Sequence, residues 1–322
     1  MKVYENISLK PYNTFGIDVK ARRLMLLEPG DDVPPLEGDV LLLGGGSNMV
    51  FTKDYDGTVV TLANLRLSTS HLPLPTVTVW GGMVMDDFIQ WAIDNGLYGA
   101  ENLSAIPGTV GASAVQNVGA YGVEAKDIID HVEAFDLQER HHVIFSNAEC
   151  HFGYRQSYFK QYPGRYLILW VTFKLSTTFV PNLSYKALEN VPHTTASQLR
   201  EAITDIRWGK LPRPEEHGSA GSFFKNPVVD ETTYLHLKAE HPDMPDAHQA
   251  PEGFKLSAGW LIDKAGWKGR TLGNAGVWSK NALVLYNTGG CTGDEIVALA
   301  QAIQEDFRRQ FGVVLEPEAI IV

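Results

Sequence analysis

A stretch of small residues, SAIPGTVGASAVQNVGAYG (Ser104–Gly122), constrains the fold of this chain more than any other feature. It contains four glycines, one proline and no charged residue. Repeated glycine costs a helix roughly 1 kcal/mol per position relative to alanine, so the stretch cannot form a long helix. Backbone without side chains approaches a large flat ligand closely. Ser113, Gln116 and Asn117 add hydrogen-bonding groups. This combination favours a ligand-binding loop over a buried connection.

A second glycine-rich site follows an apolar strand in VLLLGGGSNMVF (Val40–Phe51). A Rossmann site needs a helix directly behind the glycine turn, whereas the residues from Met49 onward are β-like. The Rossmann interpretation is therefore excluded. Two alternatives stay open: a plain tight turn, or a concave nest of backbone N–H groups that binds phosphate. Two glycine-rich loops in one half of a chain are able to hold one extended dinucleotide.

The order of the predicted elements indicates an α+β fold, because strands and helices do not alternate regularly. Capping residues and apolar periodicity predict helices near MVMDDFIQWAIDNG, TASQLREAITDIRWG, LSAGWLIDKAG and TGDEIVALAQAIQEDFRRQFG. The C-terminal VVLEPEAIIV is predicted to be a strand. The proline-marked turn KLPRPEEHG is the best candidate for a domain boundary. The predicted domains are residues 1–65, 66–208 and 209–322.

Composition excludes several classes of protein. The chain has 322 residues, of which 44% are apolar and 20% charged, as in ordinary globular proteins. Its net charge of −11 argues against binding to nucleic acid or an anionic membrane. Two cysteines give no disulfide framework, and the first residues lack the apolar core of a signal peptide. We expect a cytoplasmic, monomeric protein without a metal.

Three further residues stand in unusual surroundings but have common alternative explanations. Arg155 lies among aromatic residues in CHFGYRQSYFK, where it either stacks at the surface or binds a carboxylate or phosphate. Ser222 in GSAGSFFKNP is most simply a turn residue. Serine-hydrolase chemistry is disfavoured, because no nearby histidine lies in the context of a nucleophile elbow. Glu318 in LEPE is most simply a solvated carboxylate. The histidines lack the spacing of metal ligands.

Seven motifs, taken in order, resemble those of the UDP-N-acetylenolpyruvoylglucosamine reductase family. They are NTFGI, LGGGSN, ENLSAIPGTVGASAVQNVGAYG, FGYRQS, GSAGSFFKNP, KLSAGWLID and LEPE. The resemblance extends from Asn13 to the C-terminus. It implies an FAD-binding unit of two subdomains of the vanillyl-alcohol-oxidase (PCMH) type, followed by a C-terminal α+β substrate-binding domain. The implied activity is reduction of UDP-N-acetylglucosamine enolpyruvate to UDP-N-acetylmuramate for peptidoglycan synthesis. Non-covalent FAD is the implied cofactor and NADPH the co-substrate.

The resemblance also implies roles for individual residues. Ser222 matches the proton donor, Arg155 the arginine that holds the substrate carboxylate, and Glu318 the glutamate at the other side of that carboxylate. Implied substrate contacts are Tyr185, on a flap found in the longer of two family classes, and Lys210, Asn226 and Lys268. The implied FAD contacts are Gly44, Gly45, Gly46, Ser47, Asn48, Ile106, Pro107, Gly108, Ser113, Gln116, Asn117, Gly119, Ala120, Tyr121 and Gly122.

The chain departs from the family pattern at one point. The family commonly has a tyrosine just before KLSAGWLID, whereas DAHQAPEGFK contains none, and His248 is the candidate replacement. Two other functions stay open from the residues alone. One is a different FAD oxidoreductase of the same fold class, which should lack the set of Arg155, Ser222 and Glu318. The other is a non-catalytic nucleotide-binding module.

Overall fold

The structure, a computed structural model, describes residues 1–65 and 75–322. The start of the second predicted subdomain, residue 66, lies outside the described residues. The chain divides into two units that are not contiguous in sequence. Unit 1 comprises Met1–Ile7, Ala21–Gly45 and Tyr55–Arg207, and unit 2 comprises Ser8–Lys20, Gly46–Asp54 and Trp208–Val322. Two N-terminal segments thus belong with the C-terminal part of the chain.

The strands are numbered in chain order. They are β1 (Lys2–Ser8), β2 (Lys20–Leu27), β3 (Val40–Leu43), β4 (Met49–Val50), β5 (Tyr55–Leu62), β6 (Thr76–Trp80), β7 (Gly119–Ala120), β8 (Val123–Glu124), β9 (Ile129–Asp136), β10 (His141–Ser146), β11 (Tyr166–Lys174), β12 (Ser219–Ser222), β13 (Val228–Val229), β14 (His248–Ala250), β15 (Gly253–Lys255), β16 (Thr271–Leu272), β17 (Ala275–Val277), β18 (Val284–Asn287) and β19 (Ile320–Ile321).

The α-helices are numbered in the same way. They are α1 (Met85–Asp94), α2 (Val110–Gln116), α3 (Tyr158–Gln161), α4 (Ala196–Lys210), α5 (Glu231–Glu240), α6 (Ala258–Lys264) and α7 (Gly293–Phe311). In the described part of the chain, no helix has the length and apolar character needed to cross a membrane.

Unit 1 contains two four-stranded sheets. In the first, of order β1-β2-β5-β3, strands β2 and β3 both run parallel to β5. The second, of order β10-β9-β11-β6, is antiparallel throughout. In unit 2, β12-β18-β17-β16 and β13-β15-β14 form antiparallel sheets, and β19 pairs in parallel with β4. Parallel and antiparallel sheets thus occur beside separate helices, which confirms the predicted α+β class.

Strand β11 contributes to two cores because both of its faces are covered, and a bulge shifts its alternation part-way along. Leu167 and Leu169 pack into one apolar cluster, whereas Ile168 packs into the other. Successive residues of a strand point to opposite faces. After the register shift between Ile168 and Trp170, however, Val171 joins the cluster of Ile168. One extra residue moves the side chains that follow it to the other face. Because both faces are buried, this strand is apolar along nearly its whole length.

All four predicted helices are present, and two of them begin at the predicted capping residues. Gln198 N–H donates to Thr195 Oγ1 at 3.2 Å, and Thr195 N–H donates back to Gln198 Oε1 at 3.3 Å. The same reciprocal pair forms between Thr292 and Glu295 at the start of α7, which ends at Gly312 with φ +67°. A left-handed residue at a helix C-terminus favours glycine because glycine has no Cβ to clash.

Two predictions from sequence fail. The predicted strand VVLEPEAIIV is wrong over most of its length, since only β19 is a strand. Pro317 cannot donate to a ladder, and its neighbours bond individually to residues 223 and 225. Helix α5 was not predicted from sequence. It buries only Leu237, so it carries no apolar stripe that sequence analysis could detect.

An ion pair joins α1 to α4. Asp86 accepts two bonds from the Arg200 guanidinium, at 2.6 and 2.9 Å, and a third at 2.6 Å from Ala105 N–H. Burial alone would raise the pKa of Asp86. The bonds from Arg200 and Ala105, with the positive charges of Arg200 and Arg207, bring that pKa below its usual value. The charged carboxylate therefore stabilises the folded state of unit 1.

We expect Asp86→Asn to lower the free energy of unfolding by about 1 to 3 kcal/mol at pH 7. This is the usual cost of losing an ion pair that solvent screens only in part. Because the folded pKa lies below the unfolded one, this stabilisation is present above about pH 4 and is lost as the pH falls further. The measurement is the thermal midpoint of both proteins at pH 7 and pH 3. The control is Asp243→Asn, which removes an exposed pair with Lys264 and should leave the midpoint unchanged. Equal midpoints for Asp86→Asn and wild type at pH 7 would contradict the argument.

Candidate active site

The two glycine-rich segments contact each other through their backbones in unit 1. A Cβ at Gly45 would lie 3.0 Å from Gly108 Cα, and a Cβ at Gly44 would lie 2.8 Å from Ala112 Cβ. These separations are shorter than ordinary side-chain contacts permit. A side chain at Gly44 would force its neighbours to shift, and a side chain at Gly45 would fit only if Gly108 moved by a few tenths of an ångström. The surface that results consists of backbone, with its N–H and C=O groups close to any bound molecule.

Helix α2 lies inside the small-residue stretch. It has only seven residues, consistent with the exclusion of a long helix. Ser113 Oγ donates to Val110 O at 2.7 Å within the helix. Asn117, at φ +45°, ends it, donating to Gly153 O at 2.9 Å and accepting from Lys126 N–H at 3.0 Å. These bonds fix the loop in its own conformation, and a ligand contact through Ser113 or Asn117 stays a prediction.

Arg155 lies beside the end of this loop. Its Nη2 donates to Gly119 O at 2.9 Å, and its own carbonyl accepts from Lys160 Nζ at 2.9 Å. Its guanidinium lies 5.2 Å from the Tyr154 ring centroid, a cation–π distance. Arg155 itself has φ +53°, a left-handed conformation that costs energy for a residue with a Cβ. These contacts hold the guanidinium at the glycine-rich loop of unit 1.

Tyr121 connects the loop with Tyr185. Their rings meet edge to face, with centroids 5.4 Å apart. Burial raises the pKa of the Tyr121 phenol, and the positive charge of Arg207 opposes that rise. Burial lowers the pKa of Arg207 in turn, against the effect of Tyr121 and Asp86. Arg207 is thus a buried cation next to the loop. Sequence analysis missed it, because one arginine near a helix end carries no distinctive pattern.

The rest of the GGGSN turn belongs to unit 2. Gly46 has φ +60°, and a Cβ there would lie only 2.0 Å from Tyr12 O, so glycine is obligatory. Asn48 Nδ2 donates to Glu318 O at 3.1 Å, and Asn48 O accepts from Ile320 N–H at 2.9 Å. Ser47 lies between these two residues. Within unit 2 the turn is therefore packed against residue 12 and bonded to the C-terminal segment.

Ser222 and Glu318 are brought together by backbone bonds within unit 2. Ser222 is the last residue of β12, where it faces Val284 of β18. Phe223 O accepts from Glu318 N–H at 2.7 Å, so Glu318 lies beside the residue that follows Ser222. Gly221 has φ +66°, and a Cβ there would meet no atom within 4 Å. Open space therefore adjoins the serine on its strand.

The residues that were predicted to contact the substrate lie in different surroundings. Asn226 Oδ1 accepts the first N–H of α6 at 3.0 Å, so this amide caps a helix. Lys268 Nζ forms an exposed pair with Asp263 at 2.8 Å. Lys210 is exposed at the end of α4, and His248 is exposed in β14. The contacts of these four residues do not by themselves define a ligand site.

Unit 2 also contains a cavity of about 930 Å³ lined by residues that include Phe15, His217, Asn287 and Cys291, but not Ser222 or Glu318. Burial raises the pKa of the Cys291 thiol to about 12, so it does not supply a thiolate nucleophile near neutral pH. Within residues 1–65 and 75–322, no group of histidine, cysteine, aspartate and glutamate side chains is arranged to hold a metal ion.

Comparison with known proteins identifies the two parts of the chain. Residues 37–142 match the FAD binding domain, and residues 213–322 match the UDP-N-acetylenolpyruvoylglucosamine reductase C-terminal domain. The chain is 45% identical to the UDP-N-acetylenolpyruvoylglucosamine reductase of Pseudomonas aeruginosa, over 99% of this chain and 98% of that one. The chain belongs to the UDP-N-acetylenolpyruvoylglucosamine reductase family. The resemblance seen in the sequence is confirmed.

Further relatives agree with this family assignment. The reductase of the same name from Neisseria gonorrhoeae is 44% identical, over 96% of this chain and 94% of that one. The crystal structure of the reductase from Thermus caldophilus has a TM-score of 0.69 at 23% identity, over 100% of this chain and 99% of that one. At that identity the structure shows the fold alone. The expected FAD-binding part followed by a C-terminal domain is confirmed by the two family models.

FAD is the cofactor of this protein, and the residues of the two glycine-rich segments fit such a ligand. The matched FAD binding domain includes both glycine-rich segments. The contact of Gly45 with Gly108 presents backbone where a side chain would exclude a flat or extended ligand. Tyr121 and Gly122 have φ +49° and +83°, so the end of the loop keeps a shape that few sequences adopt. The individual FAD contacts stay predictions.

We expect Gly45→Ala to weaken FAD binding by about 5- to 150-fold, the effect of the 1 to 3 kcal/mol that overpacking costs. The new methyl group would press on Gly108 and separate the two segments. The measurement is the flavin released on dilution, followed by its fluorescence. Gly209→Ala is the control, because a Cβ at Gly209 meets no atom within 4 Å. Unchanged FAD retention in Gly45→Ala would show that this contact does not shape the cofactor site.

Proposed function

We propose that this chain reduces UDP-N-acetylglucosamine enolpyruvate to UDP-N-acetylmuramate, with NADPH as the electron donor and non-covalent FAD as the carrier. Near-complete coverage at 45% identity to a reductase of that name carries the proposal. The match of residues 213–322 to the C-terminal domain of the same reductase separates it from other FAD oxidoreductases. A non-catalytic nucleotide-binding module is disfavoured for the same reason.

FAD, when bound, supplies the chemistry of accepting hydride from NADPH and delivering it to the terminal vinyl carbon of the substrate. The chain must then stabilise the negative charge that develops next to the substrate carboxylate and deliver one proton to the adjacent carbon. In the proposal, Ser222 donates that proton. A serine hydroxyl is a weak acid, but an enolate is a strong base, so the transfer is favourable.

Arg155 and Glu318 act on the substrate carboxylate in this proposal. The Arg155 guanidinium has a planar fork that donates two bonds to one carboxylate, and its anchoring to Gly119 O orients it beforehand. An ionised Glu318 would repel the developing charge, so we assign it a donor role through its proton or a bridging donor. Preorganised donors of this kind lower the barrier because they need no rearrangement as charge develops.

The finer assignments are part of the same proposal. Tyr185, Lys210, Asn226 and Lys268 contact the sugar nucleotide, and His248 takes the place of the missing tyrosine. We also propose that the protein acts as a monomer in the cytoplasm. Two buried cysteines that are not joined to each other support a reducing compartment.

We expect Ser222→Ala to separate the two half-reactions. NADPH should bleach the flavin at a near-normal rate, whereas reoxidation by the enolpyruvyl substrate should slow by about 10²- to 10⁴-fold, the usual contribution of a general acid. Stopped-flow absorbance at the flavin band measures both steps. The strand should remain in place, because the pairing of residue 222 with Val284 is made by backbone.

The matched control is Ser219→Ala, which removes a hydroxyl from the same strand. It should leave both half-reactions unchanged. An equal loss in both half-reactions for Ser222→Ala would make Ser222 a structural residue and would refute its assignment as proton donor.

We expect Arg155→Lys to slow single-turnover reoxidation at saturating substrate by about 100-fold, since losing one preorganised donor costs on the order of 3 kcal/mol. Saturation removes the effect of weaker binding, so the chemical step alone is measured. Glu318→Gln should be milder than Glu318→Ala, because the amide keeps one donor. Near-normal reoxidation in both Arg155→Lys and Glu318→Ala would limit these residues to binding substrate.

A further inference from the structure

The segment between β11 and α4, residues 176–191, is docked on the end of the glycine-rich loop in unit 1. We call it the flap segment. Most of its side chains are exposed, and Tyr185 is 46% exposed. A segment with so few buried groups keeps one position only if specific contacts hold it there. The contacts that do so are therefore decisive for the place of Tyr185.

One buried amide joins the flap segment to the loop. Asn102 is only 2% exposed. Its Nδ2 donates to Tyr121 O at 2.8 Å and to Asn182 O at 2.9 Å. Both hydrogens of the amide are used, each on a backbone carbonyl. Two segments far apart in sequence are thus held by a single side chain that belongs to neither of them.

The docked flap segment fits closely against the loop around this amide. Ser184 N–H and Oγ both donate to Asn182 Oδ1, at 3.1 and 2.7 Å, which fixes the turn that Asn102 holds. That turn brings Ser184 Oγ to within 2.5 Å of where a Cβ would stand at Gly122. The edge-to-face contact of Tyr185 with Tyr121 lies next to it.

An apolar cluster supports the flap segment from the other side. Leu188 is fully buried against Leu199 and Ile203 of α4, and Phe179 and Tyr121 pack on the same cluster. These contacts anchor the two halves of the flap segment on α4. Leu183 packs on the same cluster, so the turn at residues 182–185 is held by this apolar contact, by the Asn102 amide and by the close fit at Gly122.

We propose that Asn102 is a positioning residue for substrate binding, which acts by holding the flap segment on the loop so that Tyr185 is in place before the sugar nucleotide arrives. The inference rests on the proposed function, in which Tyr185 contacts the substrate. Asn102 itself donates only to backbone and touches no substrate. Without it, the enzyme is competent to bind only while the flap segment happens to be docked, and the apparent affinity falls by that fraction.

Limited proteolysis measures the docking directly. Lys186 is exposed within the flap segment and is a trypsin site. In Asn102→Ala, holoenzyme should be cleaved after Lys186 about 5- to 100-fold faster, the factor that corresponds to two lost hydrogen bonds when cleavage follows the open population. UDP-N-acetylglucosamine enolpyruvate should slow the cleavage, because it binds the docked form.

Steady-state and stopped-flow kinetics measure the consequence for the reaction. In Asn102→Ala, KM for the sugar nucleotide should rise by the ratio of the docked fraction in wild type to the docked fraction in the variant. The turnover number, and the rate at which NADPH bleaches the flavin, should stay within about twofold of wild type, since removal of uniform binding leaves the chemical step unchanged. A general loss of structure would lower all three quantities together.

The matched control is Asn147→Ala. Asn147 Nδ2 also donates to two backbone carbonyls, Lys126 O at 2.8 Å and Ile129 O at 2.7 Å, in the same unit but outside the flap segment. It should change neither Lys186 cleavage nor KM. Ser184→Leu is the second variant, in case Asn102→Ala fails to fold. Ser184 is exposed, and the larger side chain should push the turn away from Gly122 with the same two effects.

Wild-type cleavage at Lys186 in both Asn102→Ala and Ser184→Leu would overturn the inference. Cleavage so fast that the flap segment is mostly undocked, with an unchanged KM, would also overturn it, because docking would then have no part in substrate binding. If wild-type enzyme reduces no enolpyruvyl sugar, the proposed function fails, whereas the proteolysis still decides whether Asn102 holds the flap segment. Faster cleavage together with a raised KM and an unchanged flavin reduction rate supports the inference.

Discussion

The contact between two backbones that carry no side chains underlies the cofactor half of this molecule. Gly44 and Gly45 lie so close to residues 108–112 that a methyl group on either would collide. The short α2 helix, its capping by Thr109 and the left-handed Asn117 then direct the loop toward Arg155 and Tyr121. The absence of side chains at these positions permits the protein contact, and in the proposed cofactor site it also exposes backbone groups to FAD.

Main-chain geometry also determines where Ser222 and Glu318, the proposed catalytic residues of unit 2, lie. Ser222 ends a strand, and Glu318 is bonded to the next residue along, so their separation follows from backbone pairing. Arg155 Nη2 donates to Gly119 O within unit 1, so main chain also helps to orient this guanidinium.

Much of the fold could be predicted from the sequence, because its signals are local. Reciprocal capping at Thr195 and Thr292 and the stop at Gly312 depend on residues within one turn of the helix. The failures have equally physical causes. Helix α5 buries one leucine, so it has no apolar face to detect, and Pro317 breaks an apolar run that otherwise resembles a strand. Asn102 and Arg207 gain their meaning only from residues distant in sequence, which no local pattern reveals.

The way the chain is shared between the two units limits how its gene can be divided. Ser8–Lys20 and Gly46–Asp54 belong with the C-terminal unit, and the chain passes from one unit to the other inside the glycine turn, between Gly45 and Gly46. No single cut in the reading frame would yield either unit intact. An N-terminal truncation that extends past residue 8 removes part of both units, although the two parts of the chain match different domain families.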